Sequence, residues 1–503
     1  MTGATGTETV ATPGIEGAVE SNIEHNEKYD PFNCLPPEIV ARIFHASIAT
    51  HTDDAMAVAA LQDENTESCM RPFQLAWVCQ RWRHIAMAAP TLWTLLVMDR
   101  RGKEWTLPLD LVQQWITRTG ALPLRIVLRW EPSGNPLDEN LVSLVKHLCK
   151  YSSRWRSVMF HIPGEIIPFF HSETDITVDL DVFYLDSPTN ASHGWNMGQT
   201  ILRPRLASFL GLPVPPQSLQ WSRTASINMS SVFVSDCLQI MGHCNNAIHL
   251  RVLLRRSIMG HLLDRPIPPS PIIMQHLRRL EVLFIDDFDM FLLMKRIHTP
   301  SLRSLKLGAL GSEDLHTPII LLQDFFVEVA DHLTSLSLGR VSFKVPHLEV
   351  VLSMLNTLVE LTIIGDESGG PSTSLDPLFI RLTSTLSADS PPSFLPKLRR
   401  FMYMGIKKFT WDAVATILES HVCQQYNPAL DTPFKRPLTV FNIDLTRPGA
   451  VDNLVDREVL LRFLRLPPSW MKISMGEKLM QASLEHHGVD HQTQHPTFRR
   501  HAY

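Results

Sequence analysis

The sequence lacks the features that mark membrane and secreted proteins. No segment holds the roughly 18 to 20 consecutive apolar residues that a membrane-spanning helix requires. The longest apolar candidate, 318–326, is interrupted by Gln323 and Asp324. Residues 1–12 contain no basic residue and no apolar run, so we expect no secretory signal peptide there. These absences argue against a membrane protein and against a membrane partner.

Cysteine pairs at metal-binding spacing are also lacking. The seven cysteines are irregularly spaced among 503 residues, and no two of them form a C-x-x-C pair. This pattern favours reduced thiols over a disulfide framework or a zinc site. It predicts an intracellular protein, located in the cytoplasm, the nucleus or both.

The motifs of common enzymes are lacking as well. The chain contains no G-x-S-x-G, G-x-x-x-x-G-K-[ST], G-x-G-x-x-G or H-E-x-x-H sequence. His243 beside Cys244 could form a thiol–imidazole pair, and five histidines after residue 485 could bind a metal. His243, however, ends a helical pattern, where histidine is common for dipole reasons, and the nearest carboxylate to the histidines is Glu485. We therefore predict no catalytic residue, no cofactor and no metal site.

An excess of positive charge is the last absence. The formal net charge is −5, and residues 1–30 alone carry six acidic residues and one basic residue. One of the 46 basic and six of the 51 acidic residues lie in 1–30, so the rest of the chain has 45 of each and is balanced. Nucleic-acid-binding proteins normally show a basic excess, so we expect no nucleic-acid partner. The composition of residues 1–30 predicts a disordered acidic tail.

Two apolar stripes at helical spacing dominate residues 34–97. The first follows Pro36 and Pro37, because proline in the first turn favours a helix start, and the second ends at Pro90. Between them, residues 49–70 hold five carboxylates and no Lys or Arg, which predicts a solvated acidic insert. Residues 92–97 are predicted to be extended. The stripe positions are Ile39, Val40, Ile43, Phe44 and Ile48, then Leu75, Val78, Cys79, Trp82, Ile85 and Ala86.

An ordinary helical hairpin core would explain both stripes. A partner-binding surface explains them better, because a unit of this size is too small to bury both stripes internally and exposed apolar patches mark partners. Aromatic anchors among aliphatic neighbours are also typical of interface hot spots.

Three motifs in this stretch together resemble an F-box, in particular the F-box-like proteins abundant in mushroom-forming fungi. They are Leu-Pro-x-Glu-Ile-x-x-x-Ile-Phe from Leu35, Val-Cys-x-x-Trp-Arg-x-Ile-Ala from Val78, and Pro-x-Leu-Trp from Pro90. The resemblance implies a small all-α hook over 31–99 that docks on the SKP adaptor of SKP–cullin–F-box ubiquitin ligases. The residues it assigns to adaptor binding are Leu35, Pro36, Ile39, Ile43, Phe44, Val78, Cys79, Trp82, Ile85, Leu92 and Trp93.

Helix and strand patterns follow the hook. Two helix–strand units are predicted over 100–165, with Gly120 ending the first helix in the left-handed conformation. From 277 onward, the template Leu-x-x-Leu-x-Leu or a close variant begins at 277, 302, 333, 358, 398 and 438, with helical patterns between the copies. This spacing resembles irregular leucine-rich repeats, whose strands stack into a parallel sheet. We predict such an α/β solenoid over 166–465 and a polar C-terminal tail over 466–503.

The leucines of the template are expected to be core, so recognition would use the residues between them. The possible substrate face comprises Arg303, Lys306, Ser335, Ser337, Glu360, Thr362 and Met402. The resulting hypothesis is an α+β protein that recognises a protein target for a ubiquitin ligase and does no bond chemistry itself. Two alternatives stay open: an F-box scaffold that recruits no cullin, and an unrecognised enzyme between 165 and 275.

Overall fold

In the computed structural model, the described part of the chain falls into two compact units, 1–130 with 154–156 and 131–153 with 157–503. Helices combine with a large parallel sheet, which confirms the expected mixed class. The predicted tail 1–30 and residues 50–70 of the insert lie outside the described residues. Those are 32, 35–49, 71–100, 108–131, 138–187, 195–211, 216–256, 268–310, 319–339, 345–365, 374–384, 393–425, 438–445, 454–464, 483 and 486–487.

The first unit is built from helices followed by a parallel strand pair. Leu96 of one strand lies opposite Ile126 of the other, and both are buried. A 3-10 turn at Pro90–Trp93 joins the helices to the first strand. The elements are α1 (Pro37–Ala49), α2 (Arg71–Val78), α3 (Gln80–Ala88), β1 (Leu95–Arg100), α4 (Leu109–Arg118) and β2 (Leu124–Trp130).

Local sequence explains where these elements begin and end. Pro37 opens α1, as expected for proline in a first turn. The Cys79 sulfur accepts a hydrogen bond from the Trp82 amide at 3.4 Å and caps α3. Gly120 has φ 58°, which confirms the predicted left-handed residue after α4.

Residues 92–97 differ from the expected extended segment. Leu92 and Trp93 belong to the 3-10 turn, and only from Leu95 is the chain a strand. In that strand Leu96 and Met98 are buried. The inward-facing side chains are therefore the even-numbered ones, one position along the strand from Leu95. The 3-10 turn shifts the alternation of inward and outward side chains by one residue. The spacing of the leucines could not reveal this shift.

The second unit is organised by a parallel sheet in which strands follow chain order. Its strands are β3 (Trp155–His161, of which 157–161 belong to this unit), β4 (Thr177–Asp186), β5 (Ile201–Leu210), β6 (Ser226–Val232), β7 (His249–Leu254), β9 (Arg279–Phe284), β11 (Ser304–Ala309), β12 (Ser335–Gly339), β13 (Glu360–Ile364), β14 (Arg400–Gly405) and β15 (Val440–Leu445). Two short strands, β8 (Ile272–Ile273) and β10 (Ile297–His298), pair with each other.

Helices connect many of these strands, as the patterns between the templates predicted. The helix expected over 319–329 begins with a 3-10 turn at Ile319–Leu322, and the other predicted helices are confirmed with small shifts at their ends. They are α5 (Glu139–Cys149), α6 (Val234–Met241), α7 (Asp287–Arg296), α8 (Gln323–Val329), α9 (Val345–Met354), α10 (Asp376–Ser384), α11 (Trp411–Gln425) and α12 (Arg457–Leu464).

Two core rows of apolar side chains cross the sheet in register, and none of their members is more than 3% exposed. All six copies of the leucine template align in them, so the predicted strands and their inward residues are confirmed. The first core row is Val158, Phe183, Ala207, Ile227, Leu250, Leu280, Leu305, Leu336, Leu361, Phe401 and Phe441. The second is Phe160, Leu185, Phe209, Met229, Val252, Val282, Leu307, Leu338, Ile363, Tyr403 and Ile443.

The C-terminal region also contains residues that pack on the body of this unit. Ser483 is buried, and its hydroxyl accepts a hydrogen bond from the Val455 amide at 3.1 Å. The His487 ring lies 3.0 Å from the Val455 carbonyl oxygen. A frayed polar tail was expected over 466–503; Ser483 and His487 make these contacts, and most of the tail lies outside the described residues.

Candidate functional site

The residues assigned to adaptor binding divide into an inward and an outward group. Phe44, Ile85, Leu92 and Trp93 are no more than 8% exposed, so they support the surface from beneath. The outward group is exposed, and the remaining two residues, Leu35 and Trp82, are half-buried. The outward residues are Pro36, Ile39, Ile43, Val78 and Cys79.

An aromatic cluster fixes α1 against α3. The ring centroids of Phe44 and Trp82 are 4.7 Å apart, and those of Phe32 and Trp82 are 5.0 Å apart. The Arg81 guanidinium donates a hydrogen bond to the Leu35 carbonyl oxygen at 3.2 Å. The start of α1 is therefore tied to α3 by both apolar packing and a hydrogen bond.

A second aromatic cluster packs Trp93, at the end of the 3-10 turn, against α4. The Trp93 ring packs on Phe73 and Trp115 at centroid distances of 5.3 and 4.9 Å. The Trp115 indole N–H donates to the Trp93 carbonyl oxygen at 2.6 Å, and the Arg118 guanidinium lies 4.8 Å from the Trp93 ring centroid. Helix α4 thus completes the core around Trp93. The stripe positions Ile39, Ile43, Val78 and Cys79 nevertheless remain exposed, as expected of a unit too small to bury both stripes internally.

The exposed apolar residues form two outer apolar pairs, Ile39 with Ile43 on α1 and Trp77 with Val78 at the end of α2. Ile39 and Ile43 are each 39% exposed, and Trp77 and Val78 are 65% and 60% exposed. Sequence reasoning missed Trp77 because it lies outside the apolar stripe. A tryptophan on the polar side of an amphipathic helix was the available signal, since large exposed apolar side chains mark partners.

The second unit places the possible substrate face on the side of the sheet opposite the core rows. Lys306, Ser337, Thr362 and Met402 lie opposite one another on successive strands and are half-buried. Ser335 and Glu360 form a neighbouring row, and Arg303 directly precedes β11. The six residues within strands therefore share one face, as the alternation of side chains along strands predicts, and Arg303 is exposed at the start of β11.

Ion pairs neutralise part of this face. The Lys306 ammonium lies 2.8 Å from a Glu281 carboxylate oxygen, and the Arg400 guanidinium lies 3.0 Å from Glu360. Both pairs are solvent-accessible, so each contributes little to stability. Glu281 and Glu360 are thereby already engaged with basic side chains.

A groove of about 700 Å³ runs along the edge where the strands begin. Sequence reasoning placed Arg303, Ser335 and Glu360 on this face but missed the rest of the lining. The Arg-Arg pair inside the template at 277–282 was the available signal. The lining consists of Ile248, His249, Arg278, Arg279, Arg303, Ser304, Thr334, Ser335, Val359 and Glu360.

The region between 165 and 275 was the expected place for an unrecognised enzyme. Burial raises the pKa of Cys244, which is the opposite of what a nucleophilic thiolate needs. Hydrogen bonding to Arg203 holds the pKa of the exposed Asp179 below its usual range. Asp179 and Arg203, two groups of this region with shifted pKa values, pair with each other at the solvent-exposed surface rather than in an enclosed pocket.

Within the described ranges, no three His, Cys, Asp or Glu side chains are placed to hold a metal ion. No helix in the described part of the chain is both long and apolar enough to cross a membrane.

Comparison with known protein families finds none that matches the chain, and no curated protein matches it.

Proposed function

We propose that the protein is a substrate-recognition subunit of an SKP–cullin–F-box ubiquitin ligase. Its helical unit would hold the SKP adaptor, and the sheet of the second unit would hold a target protein. The proposal rests on the resemblance of residues 34–97 to F-box-like proteins and of the later templates to leucine-rich repeats.

One observation carries the adaptor part of this proposal. Helix α1 buries Val40 and Phe44 at 0% and 2% exposure, yet Ile39 and Ile43 on the same helix remain 39% exposed. A helix that only covers a core has one apolar stripe and a polar opposite side. The additional exposed apolar residues of α1 favour a protein partner.

The mechanism requires no bond chemistry from this chain. Holding the adaptor and the target in one assembly raises the effective concentration of target lysines at the conjugating enzyme. The parallel sheet suits the second task, because its register fixes the side chains of the outer face at regular positions. Specificity then depends on which side chains occupy that face.

Co-purification of the full chain with the SKP adaptor and a cullin tests the proposal. We expect the wild type to retain both proteins and Ile43→Asp to lose both, because an interface would bury an unpaired carboxylate. His45→Asp is the matched control, since His45 is exposed and about 200° around the helix from Ile43. Trp82→Ala is a poorer test, because Trp82 packs on Phe44.

The outcomes separate the proposed function from its alternatives. Adaptor without cullin in the wild-type complex would favour the scaffold. Failure of the wild type to retain the adaptor, or equal retention by Ile43→Asp and His45→Asp, would contradict adaptor binding through α1.

A further inference from the structure

The groove of the second unit has a backbone whose hydrogen bonds are already used. The Arg278 carbonyl oxygen accepts from the amides of Arg303 and Ser304 at 2.9 and 3.0 Å, and the Arg303 carbonyl accepts from Thr334 and Ser335 at 2.8 and 2.9 Å. The same double acceptance recurs along the strand starts. A ligand in this groove must therefore be recognised by side chains rather than by strand addition.

The side chains give the groove an excess of positive charge. Arg278, Arg279 and Arg303 are exposed, and no carboxylate of a described residue lies within 4.0 Å of their guanidinium nitrogens. Glu360, at the opposite end of the groove, is paired with Arg400 at 3.0 Å. Burial and the nearby Arg279 lower the pKa of His249, which disfavours a positive charge on this ring. Three cations thus lie together, although the chain after residue 30 carries no net excess of basic residues.

The dimensions of the groove fit an extended peptide. The lining residues come from the starts of five neighbouring strands, β7, β9, β11, β12 and β13. Four spacings of about 4.8 Å give a length of about 19 Å, which about six extended residues span at about 3.3 Å each. Side chains on one side of such a peptide recur every two residues, or about 6.6 Å, and arginine side chains on adjacent strands can reach both.

We propose that this groove binds an extended peptide segment of the target that carries two anionic side chains, carboxylate or phosphate, at alternate positions. Arg278, Arg279 and Arg303 would bind the anionic oxygens, because guanidinium groups match carboxylate and phosphate geometry in a bidentate way. Ser304 and Ser335 would face the uncharged part of the segment. The proposal rests on the proposed function only in assigning the peptide to a target protein. The groove itself needs no adaptor.

Peptide binding to the full-length chain tests this directly. The probes are fluorescent peptide pools of about eight residues, a length slightly above the span of the groove. Two alternate fixed positions hold glutamate, phosphoserine or glutamine, and uncharged residues are mixed elsewhere. We expect the glutamate or phosphoserine pool, or both, to bind, and added salt to weaken binding through screening. The pool that binds more tightly identifies the source of the anionic oxygens.

Variants locate the binding. Arg279→Gln and Arg303→Gln should each weaken binding at least tenfold, because a charge-assisted hydrogen bond is lost, while Arg303→Lys should restore part of it. Arg399→Gln is the matched control, since Arg399 is exposed and holds the equivalent position before β14 but does not line the groove. These arginines are solvent-exposed, so the variants should keep the wild-type circular dichroism spectrum.

Several results would overturn the proposal. They are equal binding of the glutamine pool, equal loss in Arg399→Gln, no binding of any pool, or preference for an oligonucleotide over both anionic pools. None of these results depends on the adaptor, so the proposed ligase function can fail or survive independently.

Discussion

Replacing Trp93 with phenylalanine distinguishes a core tryptophan from one that contacts a partner. Trp93 is 0% exposed, and its indole N–H donates to the Ala86 carbonyl oxygen at 2.9 Å. In a continuous helix that carbonyl would accept from the amide four residues later, but residue 90 is a proline and has no N–H. The Trp93 side chain therefore caps the end of α3.

The expected loss follows from two contributions. Leaving a buried carbonyl without a donor costs about 1–3 kcal/mol. Removing part of the indole from contact with Phe73 and Trp115 costs about 0.8 kcal/mol for each methylene-sized group lost. Together we expect Trp93→Phe to destabilise the first unit by about 2–4 kcal/mol, within the range of large-to-small core changes.

Hydrogen exchange measured by mass spectrometry is the appropriate assay, because a chain with two compact units need not unfold in one step. Amides in peptides covering Gln80–Trp93 should exchange roughly 30-fold faster or more in Trp93→Phe. Trp77→Phe is the matched control. Trp77 is 65% exposed, so this variant should change the exchange rates of the same amides little. Unchanged protection in Trp93→Phe, combined with a loss of adaptor affinity, would refute the assignment of Trp93 to the core.

Two further predictions concern the second unit. Gly405 has φ 135°, and a Cβ there would lie 3.0 Å from the Gly365 Cα. Gly405→Ala should lower the urea midpoint, with a cost of about 1–3 kcal/mol, whereas Gly242→Ala should change stability by less than about 0.5 kcal/mol; equal midpoints would contradict this. Burial raises the pKa of Cys149 to about 12, so at pH 8 a thiol reagent should modify the exposed Cys79 rapidly and Cys149 only after unfolding. The Cys149 thiol of the unfolded chain ionises from about pH 8.5. Its contribution to stability should therefore be present below that pH and decline as the pH rises towards 12. A rise in stability over that interval would contradict the argument.

The later strands could be predicted from the sequence because their inward positions hold long aliphatic or aromatic side chains. A strand alternates its side chains between two faces, so each Leu-x-x-Leu-x-Leu template indicates both the strand and its buried face. The register followed as well, since Leu305 lies opposite Leu280 and Leu336. The order of elements around each template was therefore readable.

Strand β7 was missed although Leu250, Val252 and Leu254 alternate along it, whereas β5 and β6 were missed for a physical reason. β5 contains Pro204 between two arginines, and its contribution to the first core row is the small Ala207. β6 mixes Ser and Asn with its buried apolar side chains Ile227, Met229 and Val232, and its register shifts before Val232. Their place in the sheet depends on neighbouring strands, and that information is not local to the segment.

The candidate site was predictable in composition but not in orientation. Helical spacing identified Ile43 and Phe44, and the F-box resemblance identified Trp93, but neither could tell which of these side chains face solvent. That depends on Trp115, which lies 22 residues beyond Trp93 and completes its packing. The arginine-rich groove likewise forms only when the starts of neighbouring strands align.

The affinity of the full chain for the SKP adaptor, compared between Ile43→Asp and His45→Asp, tests the central proposal most directly. A carboxylate buried at an interface costs a few kcal/mol, so titration calorimetry should show roughly 100-fold weaker binding for Ile43→Asp. His45→Asp should bind within about threefold of the wild type, since surface changes away from an interface are usually within about 0.5 kcal/mol. Equal affinities for the two variants, or no measurable binding by the wild type, would contradict the proposal that α1 binds an adaptor.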